Sequence, residues 1–234
     1  LMLATSRNIL SADRYLKSGK WEREIFVGSE LFHKTLGIIG LGRIGSLMAT
    51  RMKAFGMDLI AYDPYISDER FKRFDCKKAE TLDELLAVSD FITIHTPKTS
   101  ETIKIISTDE IKKMKDGVRL VNAARGGVFD EAAIVDGLKT QKIASYGFDV
   151  HETEPRSESP LYDFDNVIAT PHIGATTYEA QENVGKQVVR QVINGLNGEI
   201  VETAVNLPTM GREEFAAIKP YIQFVEKLGK VYYQ

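Results

Sequence analysis

The segment 36–45 joins an apolar run to three closely spaced glycines, and it constrains the fold more than any other part of the chain. Gly40, Gly42 and Gly45 have the spacing G-x-G-x-x-G. The apolar residues before Gly40 are typical of a buried strand, and the residues from Arg43 onward are typical of a helix. A strand that passes through such a turn directly into a helix predicts the first βαβ unit of a nucleotide-binding sheet.

Apolar runs and helical patterns continue to alternate after this turn. Capping boxes at Thr81–Glu84 and Ser107–Glu110 mark the starts of two helices, and Asp130 marks the start of another. The alternation predicts an α/β fold with a doubly wound parallel sheet, a Rossmann-type domain with helices on both faces. The predicted strands are 36–39, 58–62, 91–94, 118–121, 143–148 and 167–169, with a helix at 43–55 after the first of them.

The sequence suggests three parts in the chain. Residues 1–175 are predicted to form the dinucleotide-binding domain, with a Rossmann core at about 35–172 and a helix and polar arm at 1–34. Residues 176–208 are expected to return toward a second domain, and residues 209–234 to begin a further segment. The patterns outside the core predict helices at 1–17, 178–194 and 212–233 and a short strand at 203–206.

The residue types in the glycine turn suit a dinucleotide. Gly40 permits the tight turn, Gly42 lets the backbone approach a pyrophosphate, and Gly45 lets the helix pack closely on the sheet. The amides of residues 43–44 face the diphosphate at the positive end of the helix. Asp63 ends the next strand, where a carboxylate binds the adenosine ribose and repels a 2′-phosphate, so NAD is favoured over NADP. The alternative is a glycine turn that packs a helix on a strand without a ligand.

Polar side chains follow the ends of the predicted strands. The carboxyl ends of parallel strands meet at one edge of the sheet, which is where such sheets bind ligands. We therefore expect these side chains to gather at that edge. They are His95, Asn122, Arg125, Asp149, Glu154 and His172.

Three of these residues have the chemistry that oxidation of a secondary alcohol requires. His172 is a candidate base for the hydroxyl proton, since an imidazole exchanges protons near neutral pH. Glu154 is a candidate partner that fixes the imidazole tautomer, and the guanidinium of Arg125 suits a substrate carboxylate. Each residue can also be interpreted as a loop residue without such a role, and His95 and His151 are interpreted in that way.

Several motifs resemble those of the D-isomer-specific 2-hydroxyacid dehydrogenases, in order and spacing, over nearly the whole chain. The resemblance implies that Arg125, Glu154 and His172 form the catalytic triad. Many family members have Phe where this chain has His151, a departure that we expect to be without effect. Besides the glycine turn, the motifs are His95-Thr-Pro97, Asn122-Ala-Ala-Arg-Gly-Gly127, Phe148-Asp-Val-His-Glu-Thr-Glu-Pro155 and Thr170-Pro-His-Ile-Gly-Ala-Thr-Thr177.

The resemblance also implies a set of NAD contacts, in which the residue matching Asp149 contacts the nicotinamide amide. Together with the glycine turn, these contacts define the candidate cofactor site. Its residues are Gly40, Gly42, Arg43, Ile44, Gly45, Asp63, Thr96, Ala123, Ala124, Arg125, Asp149, His172, Gly174 and Ala175.

The same resemblance implies a substrate, an oligomeric state and a second, substrate-binding domain. It implies a small 2-hydroxy acid as substrate and a homodimer or homotetramer formed through the NAD-binding domain, with the arm around Trp21 as a candidate contact. Family members carry a further segment before the first helix, which forms most of the substrate domain. We therefore expect a fragment that holds remnants of this domain, binds NAD and turns over little. Two alternatives remain open: a reductase of glyoxylate, hydroxypyruvate or another 2-keto acid, and a NAD-sensing binding protein.

Composition narrows the class of protein. The formal net charge of −3 gives no electrostatic case for nucleic acid or an anionic membrane surface. The single cysteine, Cys76, excludes an intrachain disulfide and favours a cytoplasmic location. No apolar run reaches the roughly 20 residues that cross a membrane, and the sequence singles out no metal site.

Overall fold

The computed structural model describes residues 1–199, 201, 204 and 212–233. The strands in this part of the chain form one parallel sheet, which confirms the predicted doubly wound fold. They are β1 (Thr35–Ile39), β2 (Asp58–Tyr62), β3 (Lys77–Lys78), β4 (Phe91–Ile94), β5 (Val118–Asn122), β6 (Ile143–Phe148) and β7 (Val167–Ala169). Their order is β3-β2-β1-β4-β5-β6-β7, so the winding reverses between β1 and β4, the point at which such sheets bind ligands.

Helices lie between the strands and at both ends of the described chain. The residues divide into two compact units, residues 1–174 with the whole sheet and a second unit from Ala175 onward. The helices of the first unit are α1 (Met2–Ser6), α2 (Ile9–Lys17), α3 (Arg43–Ala54), α4 (Asp68–Arg73), α5 (Leu82–Val88), α6 (Thr108–Lys113) and α7 (Glu131–Lys139). Those of the second are α8 (Tyr178–Leu196) and α9 (Arg212–Tyr232).

Alternate residues of the central strands enter two separate apolar cores. In β1, Leu36 and Ile38 belong to a core with side chains from α1, α3 and α4, whereas Ile39 belongs to a core with α5, α6 and α7. In β4, Phe91 and Ile92 divide in the same way. Because successive side chains of a strand point to opposite faces, both faces of the sheet are covered. The sheet is therefore closed to solvent except at its edges and strand ends.

The N-terminal helix differs from the prediction. The predicted helix 1–17 is two helices, α1 and α2, since Asn8 adopts a left-handed conformation with φ of 52°. Asn tolerates this region better than most residues, so the break has a local cause in the sequence. α1 packs on β5, β6 and β7, and α2 exposes its apolar residues Ile9 and Leu16.

Other differences are smaller. The short strand β3 and the helix α4 were not predicted. The capping box predicted at Ser107 is complete. The one predicted at Thr81 is half formed: the Thr81 hydroxyl accepts from the amide of Glu84, but the Glu84 carboxylate accepts from the amide of Glu80 rather than from that of Thr81. The predicted strand 203–206 lies outside the described residues.

Cys76 is buried beside α4, and burial raises the pKa of its thiol to about 11, which keeps it protonated. In the described residues, no helix is long and apolar enough to cross a membrane. No group of His, Cys, Asp and Glu side chains in the same residues has an arrangement that holds a metal ion.

Candidate active site

The glycine turn connects β1 to α3 at the carboxyl edge of the sheet. Gly40 has a φ of 87°, which favours glycine, and a Cβ atom there would lie 2.9 Å from the carbonyl oxygen of His95. Its amide donates to the carbonyl of Tyr62 at 2.9 Å. A Cβ atom on Gly45 would lie 2.0 Å from the carbonyl oxygen of Gly40, so the start of α3 packs too closely on the turn for any side chain. A Cβ atom on Gly42 would meet no protein atom within 4 Å. Packing of the described residues therefore demands glycine at positions 40 and 45 and leaves Gly42 facing open space.

Asp63 stabilises the same turn from the end of β2. Its two carboxylate oxygens accept from the amide of Leu41 at 2.9 Å and from the amide of Tyr65 at 3.0 Å. Arg70 adds a bond from its Nε to the carbonyl of Leu41 at 2.7 Å. The carboxylate of Asp63 is thus placed next to the glycine turn, and the ribose contact expected for it stays a prediction.

A cavity of about 600 Å³ lies beside the turn. Gly42 and Asp63 line it from one side, and Thr96 and Glu101 line it from the loop after β4. In the described part of the chain, the buried Oγ1 of Thr96 finds no hydrogen-bond partner. No described side chain caps the N-terminus of α3, whose first amides favour an anion. An open glycine, an unpaired hydroxyl and an uncapped helix around one cavity fit the phosphates and ribose of a dinucleotide.

The second half of the site is a pair formed by Glu154 and His172. His172 Nδ1 lies 2.7 Å from Glu154 Oε2, and about half of the imidazole remains exposed. His172 follows β7 with a φ of 56°, and its amide donates to the carbonyl of Thr170 at 3.0 Å. Positive φ in a histidine costs on the order of 1–3 kcal/mol and persists only where the surroundings enforce it. The fold thus holds the imidazole against the carboxylate with its Nε2 side available.

Glu154 is ionised more readily than an ordinary glutamate. The pKa of its carboxyl is lowered, first by the hydrogen bond from the amide of His151 at 2.8 Å and then by the bond to His172. The carboxylate lies at the Nδ1 side of the imidazole, which leaves Nε2 as the ring nitrogen that can exchange a proton with a substrate.

Asp149 anchors the loop that carries His172. It is 4% exposed, and its Oδ1 accepts from the amide of Ile173 at 2.9 Å and from the hydroxyl of Thr170 at 2.5 Å. Its Oδ2 accepts from the amide of Gly174 at 2.7 Å. These bonds tie the end of β6 to the segment after β7. The nicotinamide contact that the resemblance implies for Asp149 stays a prediction.

Arg125 projects from the loop after β5. Asn122 shapes this loop, because its side chain accepts from the amide of Ala124 and donates to the carbonyl of Arg125, both at 3.0 Å. A Cβ atom on Gly126 would lie 1.7 Å from the carbonyl oxygen of His151, so this loop contacts the loop that carries Glu154. The Arg125 guanidinium is exposed and donates to the carbonyl of Ala124 at 2.7 Å. A planar guanidinium in this position is available to a carboxylate.

The predicted site residues of the first unit lie after the carboxyl ends of the strands. Ala175 is the first residue of the second unit. After β1 and at the start of α3 lie Gly40, Gly42, Arg43, Ile44 and Gly45; after β2 lies Asp63; after β4 lies Thr96; after β5 lie Ala123, Ala124 and Arg125; after β6 lie Asp149 and Glu154; and after β7 lie His172 and Gly174.

The two histidines that were interpreted as loop residues do lie in loops, after β4 and β6, but both are less exposed than an ordinary loop residue. His95 lines the cavity, and burial lowers the pKa of its imidazole to about 4, so it stays neutral. His151 is 8% exposed, and its ring nitrogens contact Thr170 and Tyr162. The signal for His151 was its position three residues before Glu154, which lets its amide reach the carboxylate.

Comparisons with known proteins agree with this geometry. Residues 1–174 match the family model described as "D-isomer specific 2-hydroxyacid dehydrogenase, NAD binding domain". The chain is 49% identical over 232 residues to a D-3-phosphoglycerate dehydrogenase of Archaeoglobus fulgidus, which covers 99% of this chain and 44% of that protein. It is 46% identical over 234 residues to a protein of the same name from Methanocaldococcus jannaschii, covering 100% of this chain and 45% of that protein.

A solved structure is similar as well. The glyoxylate reductase from Paecilomyes thermophila is 36% identical, with a TM-score of 0.79, over 85% of this chain and 60% of that one. The chain thus spans less than half the length of the two curated relatives.

Proposed function

The chain belongs to the D-isomer specific 2-hydroxyacid dehydrogenases, and we propose that it carries the NAD site and catalytic edge of a D-3-phosphoglycerate dehydrogenase. The proposed reaction is the oxidation of 3-phospho-D-glycerate to 3-phosphohydroxypyruvate, a step toward serine. The observation that carries the proposal is the 2.7 Å contact between Glu154 and His172, on the sheet edge that also holds the glycine turn.

The proposed mechanism begins at His172. Nδ1 faces Glu154, so Nε2 is free to take the proton of the C2 hydroxyl. NAD, when bound, supplies the acceptor for the hydride that leaves C2. As the carbonyl forms, Glu154 stabilises the imidazolium through the shared hydrogen bond. Arg125 binds the substrate carboxylate and orients C2. In the reverse direction the imidazolium returns its proton to the carbonyl oxygen.

NAD is the proposed cofactor at the cavity beside the glycine turn. Gly42 and the first amides of α3 would hold the pyrophosphate, and Asp63 would hold the adenosine ribose. Thr96 would donate a hydrogen bond to a hydroxyl or phosphate of the cofactor. The carboxylates of Asp63 and Glu101 line the same cavity and favour NAD over NADP, since both repel a 2′-phosphate.

The proposal assigns residues 1–175 to the NAD-binding domain, and 176–208 and 209–234 to two segments outside it. A homodimer or homotetramer through the NAD-binding domain belongs to the same proposal. The exposed apolar side chains of the arm, among them Trp21, Ile25 and Val27, support it because they provide apolar area within one short segment for burial on a second copy.

A substrate panel tests the proposed function. The natural polypeptide that carries this sequence is assayed for reduced nicotinamide with 3-phospho-D-glycerate, D-glycerate and glycolate. We expect kcat/KM for the phosphorylated acid to exceed the other values by at least about tenfold, since a phosphate adds charge-assisted contacts.

A second candidate is a reductase of glyoxylate or a similar 2-keto acid, which the similarity to the glyoxylate reductase structure favours. Equal or higher turnover of the small unphosphorylated acids would replace the first proposal by this one. Binding of NAD without turnover of any acid would contradict both and indicate a NAD-sensing protein.

A further inference from the structure

His151 forms hydrogen bonds on both sides of the Glu154–His172 pair, one to Glu154 itself and one to the turn that carries His172. Its backbone amide donates to Glu154 Oε1 at 2.8 Å. The other oxygen of the same carboxylate, Oε2, receives His172 Nδ1 at 2.7 Å. One end of the pair is therefore tied directly to the backbone of His151.

The imidazole of His151 contacts the turn that carries His172, the other member of the pair. Its Nε2 lies 3.1 Å from the carbonyl oxygen of Thr170. That carbonyl also accepts the amide of His172 at 3.0 Å, the bond that closes the turn in which His172 has its positive φ. A carbonyl only accepts, so Nε2 of His151 carries the hydrogen, and both bonds converge on one oxygen.

The ring of His151 is itself held firmly in place. Its Nδ1 lies 3.3 Å from the hydroxyl of Tyr162, and its edge packs on Phe148 with ring centroids 5.0 Å apart. With 8% of the residue exposed, water has little access to replace the Nε2 donor. The carbonyl of His151 is also the group that contacts Gly126, next to Arg125.

We infer that His151 is a positioning residue that sets the distance between Glu154 and His172 through its amide on one side and its Nε2–H donor on the other. A residue without this donor leaves the carbonyl of Thr170 with one partner and loosens the turn at His172, and this inference replaces the expectation that the departure at His151 is without effect. The inference rests on the proposed function for its kinetic consequence, whereas its structural consequence stands in the protein without NAD.

The test compares substitutions of similar size with and without a donor. His151→Gln keeps an N–H donor at a similar reach, and His151→Met has a similar shape without one. Tyr162→Phe removes the hydrogen bond at Nδ1 of His151 and leaves the Nε2 bond, so it is the matched control. His151→Phe is a second variant without a donor, in case the methionine variant is not folded by circular dichroism.

The first readout is the titration of the Glu154 carboxyl by NMR in the 234-residue protein without NAD. In His151→Met we expect the Glu154 pKa to rise part of the way to its ordinary value, because the bond to His172 weakens while that from the amide stays. His151→Gln and Tyr162→Phe should titrate as the original protein does.

The second readout is turnover of 3-phospho-D-glycerate by the natural polypeptide. We expect kcat of His151→Met to fall about tenfold, since misplacement of a catalytic group by about 1 Å can cost up to about a hundredfold. The KM for NAD should stay within about twofold, and His151→Gln should restore most of kcat.

An unchanged Glu154 titration in both donor-free variants would overturn the inference, as would an equal loss in the glutamine and methionine variants. If the original protein turns over none of the acids, the proposed function fails instead. The Glu154 titration then still decides whether His151 sets the pair.

Discussion

Replacement of His172 by alanine is expected to lower kcat by on the order of 10²–10⁴-fold, the usual contribution of general acid–base catalysis. The imidazole is the only group in the proposed mechanism that takes the hydroxyl proton, and it contacts Glu154 at 2.7 Å. The measurement is steady-state oxidation of 3-phospho-D-glycerate by the natural polypeptide.

Binding of NAD should be largely unaffected in the same variant, because His172 lies after β7 and the cavity is lined by residues of the β1, β2 and β4 ends. A direct titration of NAD binding provides this control. Glu154→Gln should lose less activity than His172→Ala, since it removes the charge that stabilises the imidazolium but leaves the base. Wild-type turnover in His172→Ala would remove His172 from the catalytic role.

Small side chains at positions 42 and 45 are expected to have different effects: at position 42 a loss of NAD affinity, and at position 45 a loss of stability. Gly42→Ser should fold normally and bind NAD at least about tenfold more weakly, which corresponds to about 1.4 kcal/mol. Gly42 is the N-cap of α3, where serine is a preferred residue, and a Cβ atom there meets no protein atom. Any loss of affinity therefore comes from the space that the side chain occupies.

Gly45→Ala tests the close packing of the start of α3 on the glycine turn. A Cβ atom would lie 2.0 Å from the carbonyl oxygen of Gly40, so the free energy of unfolding should fall by about 1–3 kcal/mol despite the higher helix propensity of alanine. Chemical denaturation measures this change, and calorimetric titration measures the affinity for NAD. Unaltered affinity in Gly42→Ser would place the pyrophosphate elsewhere than at the turn.

Much of the fold could be predicted from local sequence signals, because they agree with one another over the core. The short apolar runs before Gly40 and from Phe91 each contain two isoleucines, and the glycine turn fixes the connection that follows the first of them. The two-residue strand β3 has no such signal, since two lysines are too few residues to show an alternating or apolar pattern. The break at Asn8 depends on one left-handed residue within an otherwise helical pattern.

For the candidate site, the sequence predicts where the residues lie but not the contacts between them. Parallel strands bring Arg125, Glu154 and His172 to one edge, so their common location follows from topology. The structure adds the contact between Glu154 and His172, which depends on loop geometry. The burial of His151 was missed, since a histidine in a polar loop resembles a solvated residue until Phe148, Thr170 and Tyr162 enclose it.

The most direct test of the central claim is the transfer of a labelled hydrogen. The natural polypeptide is incubated with NAD and with 3-phospho-D-glycerate that carries deuterium at C2, and the reduced nicotinamide is analysed by mass spectrometry. We expect deuterium at C4 of the nicotinamide, in amounts equal to the 3-phosphohydroxypyruvate formed, and the same labelling at a rate lower by on the order of 10²–10⁴-fold with His172→Ala. Reduced nicotinamide without deuterium, or no reduced nicotinamide from this acid, would contradict the account.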